Sequence, residues 1–220
     1  VAAVMAARRR SRLAAVVLSH PHPDHFLGFA SALARVRPGE FWDTGQGEEE
    51  GSGGGYAALL ADLRARHVAL RRPDELCGSH AIGGAIIEVL APCPGLQPDR
   101  GANDNSFVLR IRYGRRAMLF VGDAEHAEEA ELGDVRADVL KVGHHGSRTS
   151  STPAFLARVA PHVAVISCGV RNRFGHPHAS TLAALAAAPI HVFRTDLDGS
   201  VIVETDGQDL STTPMNGRLR

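Results

Sequence analysis

The sequence predicts a mixed α/β (α+β) domain, and three observations carry that reading. Short apolar runs of strand length, "LAAVVLS" (13–19), "AIIEVLAP" (85–92) and "HVAVISCG" (162–169), alternate with segments of helical spacing. Residues that bear chemistry gather where such runs stop: "HPHPDH" (20–25), Asp123, His144 and His145, then His176 and His178. Strand ends are where layered α/β proteins place ligand sites. No apolar run approaches the about 18 residues of a membrane-spanning helix.

The elements follow in order. Residues 13–19 are continuous and Val-rich, the pattern of a buried strand. Residues 25–36 predict a helix that Pro38 stops. Residues 39–45 predict a strand and turn, and the Gly- and Glu-rich 45–55 a loop. Helical spacing returns at 56–67. Residues 106–123 predict a hairpin turning at "YGRR". Further strands are expected at 137–143, 162–169, 190–195 and 200–205, and helices at 124–132, 153–160 and 179–188. With no repeat and no clean linker, 1–220 is read as one domain, with 208–220 a disordered tail.

Composition narrows the function. The formal net charge is zero, which excludes a global basic field that gathers nucleic acid. Local clusters remain: Arg110, Arg112, Arg115 and Arg116 on the hairpin, and Arg171 and Arg173 near His176. Charged hairpin faces are as a rule solvated, so the second cluster is the better candidate. No aromatic stacking platform is visible. "ARRRSR" (7–12) leads straight into the His cluster without a cleavage site and is not read as a signal peptide. Cys77, Cys93 and Cys168 form neither a disulfide framework nor a zinc-finger pattern; a single Cys77–Cys93 bridge stays open.

The first cluster has a mechanical logic. His20 and His22 are two apart, so an extended segment sends both to one side. Asp24 and His25 fall where a helix starts and can serve a neighbouring position. Pro21 and Pro23 stiffen the segment. Imidazole and carboxylate donors suit zinc, manganese or iron rather than calcium. One loop histidine would be an ordinary polar residue; four ligand types in six positions are not. Asp123 alone could cap the helix at 124–132. With the other donors it becomes a bridge between two divalent ions. One ion would take His20 and His22; the other would take Asp24, His25 and one of His144 and His145. Lys141, the only lysine among 24 basic residues, and His176 could each contact phosphate or protonate a leaving group. Ser147, Thr149, Ser150 and Ser151 could bind phosphate, or simply form a loop.

HxHxDH, then a strand ending in Gly-Asp, then one ending in His, resembles the metallo-β-lactamase fold. "NDNSFVLRIRYG", "LFVGDAE", "ADVLKVGHHGSRTSS", "NRFGHP" and "FRTDLDGSVIV", in that order, resemble the C-terminal nuclease domain of the ComEC competence proteins. The likeness runs from about Leu13 to Gly207. It implies an αββα sandwich and two zinc or manganese ions. It also implies hydrolysis of phosphodiesters in single-stranded DNA, in company with a membrane DNA-uptake channel, on the extracytoplasmic side of the bacterial inner membrane. Asp24 would orient the attacking hydroxide. Asn103, Asn105 and Ser106 occupy a station where many superfamily enzymes carry a third His, which leaves the first ion open to water or phosphate. Substrate contacts are expected from these three and from Ser147, Asn172 and Arg173.

Departures exist. "Leu27-Gly28" replaces a Gly-Gly pair, and the short run before His20 predicts an N-terminal sheet lacking some strands. Two rival readings stay open: a hydrolase of the same fold acting on phosphocholine esters, lactones or β-lactams, and a truncated, non-catalytic binding module.

Overall fold

The computed structural model describes residues 11–47 and 54–215. Most of the expected basic stretch at 7–12 and part of the 45–55 loop lie outside the described residues. Strand alternation sorts the side chains into layers. β1 (Arg12–Val17), β2 (Arg37–Trp42) and β3 (Ala69–Arg71) form a parallel sheet in that order. Val16 and Phe41 point outward onto Phe26 and Leu33 of α1 (Pro23–Leu33) and Leu60 and Leu63 of α2 (Gly54–Ala65). Trp42 points inward onto Val89, Phe107 and Leu109, joined by Leu76 of the short α3 (Pro73–Leu76).

The second sheet comprises β4 (Gly78–Ile82), β5 (Ala85–Ala91), β6 (Val108–Tyr113), β7 (Arg116–Phe120), β8 (Val139–Lys141), β9 (Val163–Ile166) and β10 (His191–Arg194). Its spatial order runs from β10 to β4, antiparallel from β4 to β7 and parallel from β7 to β10. Leu119, Leu140, Ala164 and Ile166 form its outer face. They pack on Leu132, which ends α4 (His126–Glu131), on Phe155 and Val159 of α5 (Pro153–Val159), and on Leu185 of α6 (Ala179–Ala186). Alternate residues Val139 and Val163 face inward with Phe193. A hairpin of β11 (Val201–Thr205) and β12 (Leu210–Pro214) covers them through Val201, Val203 and Leu210. The single turn α7 (Thr195–Asp198) precedes it. The layers therefore run helix, sheet, sheet, helix, as the family resemblance implies. Among the described residues β1 pairs with β2 alone, and an apolar cavity of about 360 Å³ lined by Val17, Leu18, Phe29, Leu109, Ile111 and Phe120 adjoins it.

Three expectations change. The disordered tail does not begin at 208, because Leu210–Pro214 is strand β12; only Leu210 of that strand joins an apolar cluster, too weak a pattern to read. The helix expected at 124–132 starts later, and Asp104 caps it: its Oδ1 accepts from Glu125 N (2.7 Å) and Glu128 N (3.3 Å). Asp123 is left free of that duty. The open question about cysteines is settled by a Cys77–Cys93 disulfide that ties the start of β4 to the segment after β5. A loop of this size is worth about 3 kcal/mol in a chain-entropy account.

Glu128 and Glu129 are both buried on α4. Glu129 fastens α4 to the start of α5 by accepting from Ser151 N, Thr152 N and Thr152 Oγ1. Glu128 Oε2 has no partner, and burial, with Asp104 beside it, pushes its carboxyl up to about 9 from 4.5. The folded state therefore holds a proton that the unfolded state releases between those values. The associated stability is full below about pH 4.5 and is lost as pH rises toward 9. Thermal melts from pH 5 to 9 should show a declining Tm that Glu128→Gln flattens. An equally steep decline in the variant would remove Glu128 as its source.

Candidate metal centre

Past β1 the chain bends at Ser19 and His20, and His20 is fully buried. Hydroxyls of Ser19 and Ser106 both contact His20 Nδ1 at 3.2 Å. They fix the ring so that Nε2 points inward, where it is buried without a hydrogen-bond partner, 3.8 Å from Asp123 Oδ2. Pro23 opens α1, which puts Asp24 and His25 in its first turn. His25 Nδ1 lies 3.1 Å from Ser19 Oγ; its Nε2 lies 3.2 Å from Asp123 Oδ2 and 3.2 Å from His145 Nε2.

Asp123 arrives after β7 through Gly122, whose φ is 53°. A Cβ on Gly122 would stand 2.7 Å from Ser106 Cβ and 2.9 Å from Ser19 Cβ, the residues that hold His20. Only glycine lets the three segments approach this closely. The tandem histidines follow β8 in a tight turn, Gly143–Gly146, with φ of 44° at His144 and 55° at His145. Left-handed backbone at a residue with a side chain costs about 1–3 kcal/mol. The surroundings enforce it: His144 N donates to Gly122 O (3.2 Å), and Ser150 Oγ donates to Gly143 O (2.8 Å).

The turn aims both rings at Asp123. His145 Nδ1 donates to Ser167 O (2.7 Å), which leaves Nε2 bare, 3.5 Å from Asp24 Oδ2 and 3.7 Å from Asp123 Oδ1. His144 Nε2 lies 3.8 Å from Asp123 Oδ2, while its Nδ1 meets Glu125 Oε1 at 2.9 Å. Two groups result, His20 with His25 and Asp123, and Asp24 with His25 and His145, each with its ligand atoms within 4.8 Å of one another. Burial, with His25 beside it, pushes His20 down to about 3. Burial works against ionising Asp123, yet its contact with His25 and the nearby His145 and Lys141 hold it well below the usual carboxylate range. Burial and Lys141 also lower His145. Neutral His20 and His145 beside an ionised Asp123 are the protonation states a divalent cation requires. The orphaned His20 Nε2 and Asp123 Oδ1 are lone pairs such an ion would satisfy.

The sequence pattern of the metallo-beta-lactamase superfamily matches residues 3–170, from before the first His cluster past the tandem histidines. The chain belongs to the metallo-β-lactamase superfamily. The ComE operon protein 3 of Bacillus subtilis is 32% identical over 212 residues, covering 90% of this chain and 25% of its own length. The competence protein ComA of Neisseria gonorrhoeae is 35% identical over 196 residues, covering 86% of this chain and again 25% of its own. The chain thus spans about a quarter of the length of these curated relatives. A solved CmlA beta-hydroxylase variant shares the fold, with a TM-score of 0.52 and 13% identity over 84% of this chain and 43% of that one. With this superfamily membership and this donor set, the chain is a metal-dependent hydrolase.

Other expected site residues of this superfamily member divide by what they touch. His22, expected on the first ion with His20, is exposed and outside both ligand groups; its ring stands edge-on, 4.5 Å from that of His20. Lys141 Nζ is buried without a hydrogen-bond partner; burial lowers its ammonium while Asp123 and Asp24 favour the charged form. The His176 ring sits 5.7 Å from that of His144.

Several expected substrate contacts are occupied inside the protein. Asn105 is fully buried; its amide accepts from Gln97 N (2.7 Å) and donates to the carbonyls of Gln97, Arg100 and Gly101. Ser106 serves His20 and accepts from Asp123 N. Ser147 Oγ pairs with Thr149 Oγ1. Asn172 donates to Gly169 O and His176 O and accepts from His176 N, so its amide closes the loop. Asn103 Nδ2 reaches Glu125 at 3.3 Å. The hairpin arginines are largely neutralised: Arg110 by Glu88 and Asp134, Arg112 by Glu88, and Arg116 by Asp138.

Sequence reasoning missed Ser19, Glu125 and the Ser167 carbonyl, because each acts through a histidine and matches no ligand spacing. Glu125 also accepts from Thr149 Oγ1 at 2.7 Å. Orienting carboxylates of this kind are typically worth about 10–100-fold in metal affinity. Glu125 holds His144, so in a chelator competition Glu125→Gln should weaken zinc binding by that factor where His144 is a ligand, and unchanged affinity would leave His145 as the ligand. Asp123→Ala should abolish stoichiometric metal content, measured by elemental analysis after reconstitution. Retention of full metal content by Asp123→Ala would remove Asp123 from the centre.

Proposed function

We propose that the chain is a dinuclear phosphodiesterase that cuts single-stranded DNA in competence DNA uptake. The observation that supports this best is the double ligand group sharing His25 around buried Asp123, in a chain similar over nine-tenths of its length to the ComE operon protein 3. His20 and Asp123 would hold one zinc or manganese ion, and Asp24, His25 and one of His144 and His145 the other. Such an ion pair supplies a hydroxide near neutral pH and charge for the phosphoryl oxygens.

The chain's own groups do the rest. The Asp24 side chain is 60% exposed at the cleft, where it can orient an incoming water and accept its proton. Burial lowers Lys141 from its ordinary value while Asp123 and Asp24 favour its charged form, and in that form it would offset the charge of an entering phosphate. Burial, with His144 and His145 nearby, holds His176 below the ordinary histidine range. At neutral pH it is therefore a hydrogen-bond partner for the leaving oxygen rather than its proton donor.

The metal-reconstituted chain should cut linear and circular single-stranded DNA and stop when chelated. Asp24→Asn should lower the rate by about 10²–10⁴-fold. Turnover of phosphocholine or lactone substrates with DNA left intact would replace this reading with another hydrolase of the same fold.

A further inference from the structure

The loop between β9 and α6 exposes apolar surface at the cleft. Phe174 is 66% exposed and Val170 70% exposed. Phe174 lines a cleft of about 240 Å³ together with Asp24, His145, Cys168, Asn172 and His176. The loop is tightly held. Asn172 staples its two ends, and Arg171 takes a left-handed φ of 54°. Phe174 therefore stands out on a braced support.

The rings form a ladder outward from the metal ligands. His144 and His176 have centroids 5.7 Å apart; His176 and Phe174 lie 6.0 Å apart with planes only 16° from parallel. The Arg173 guanidinium carbon stands 5.1 Å from the Phe174 centroid. Arg171 and Arg173 are both exposed.

We infer that Phe174 is a stacking platform for an unpaired nucleobase beside the phosphodiester in the cleft, with Arg173 gripping the adjoining phosphate. This rests on the phosphodiesterase reading for its substrate and deepens it. A flat apolar face beside a guanidinium matches the base-and-phosphate repeat of a single strand. A base in a duplex has both faces covered by its neighbours, so this platform selects strands whose bases are free. Phe174 offers no hydrogen bond to a base edge, so the selection is for single-strandedness and not for sequence. The sequence alone shows no such platform; the fold creates it by drawing residues 144, 174 and 176 into one column.

The test is fluorescence anisotropy with zinc-loaded protein and a labelled phosphorothioate oligothymidylate of about twelve nucleotides, beside the same backbone without bases. Phosphorothioate linkages allow binding to be read without cleavage. Phe174→Ala should weaken binding of the base-bearing strand about 5- to 150-fold and leave the abasic strand unchanged. Phe174→Trp should retain binding, and metal content should match wild type in both variants. Equal binding by Phe174→Ala and wild type, or no preference of wild type for the base-bearing strand, overturns the inference. Base-dependent binding without cleavage of ordinary DNA would sink the nuclease reading and leave the platform standing. Cleavage with no effect of Phe174→Ala would do the reverse.

Discussion

A carboxylate buried among four imidazoles is the constraint on which the rest of this site depends. Asp123 has a side chain only 3% exposed and lies within 3.8 Å of ring nitrogens of His20, His25, His144 and His145. A buried charge needs partners or an ion. Burial keeps His20 neutral, so that imidazole cannot compensate by taking up a proton. The local architecture serves this arrangement. Gly122 admits the backbone, two serines lock His20, and the tandem histidines accept a strained turn to bring both rings to one carboxylate.

Two sheets and their connections deliver these groups. The end of β1 supplies His20, the first turn of α1 supplies Asp24 and His25, β7 supplies Asp123, and β8 supplies His144 and His145. The donors span more than a hundred residues, so the centre exists only when both sheets are packed. Trp42, Phe107 and Leu109, between the sheets, are as necessary to it as the ligands.

The sequence showed the parts of this design that have local signatures. The strand at 13–19 was legible because it is a continuous apolar run, and the ligand cluster because four donor types stand side by side. Long-range pairing was not legible. Arg110 looked like a free cation because Glu88, 22 residues away, and Asp134, 24 residues away, are its partners only in the fold. Asn105 looked like a substrate ligand because its four hydrogen bonds go to the backbone of its own loop, which no spacing rule reveals. β3 and β4 were missed because they are short and carry few buried residues. Asp123 is ambiguous between cap and ligand in the sequence, and in the fold Asp104 does the capping.

The left-handed pair at His144 and His145 bears on which residues evolution can try there. Histidine tolerates that backbone better than most side chains, and asparagine and aspartate share the tolerance. Valine, isoleucine or threonine would be rejected by the main chain before any loss of coordination was felt. The dipeptide is thus restricted twice over, by donor chemistry and by dihedral geometry. Drift at these positions is channelled toward Asn and Asp, which keep the turn while changing the electronic character of the ligand.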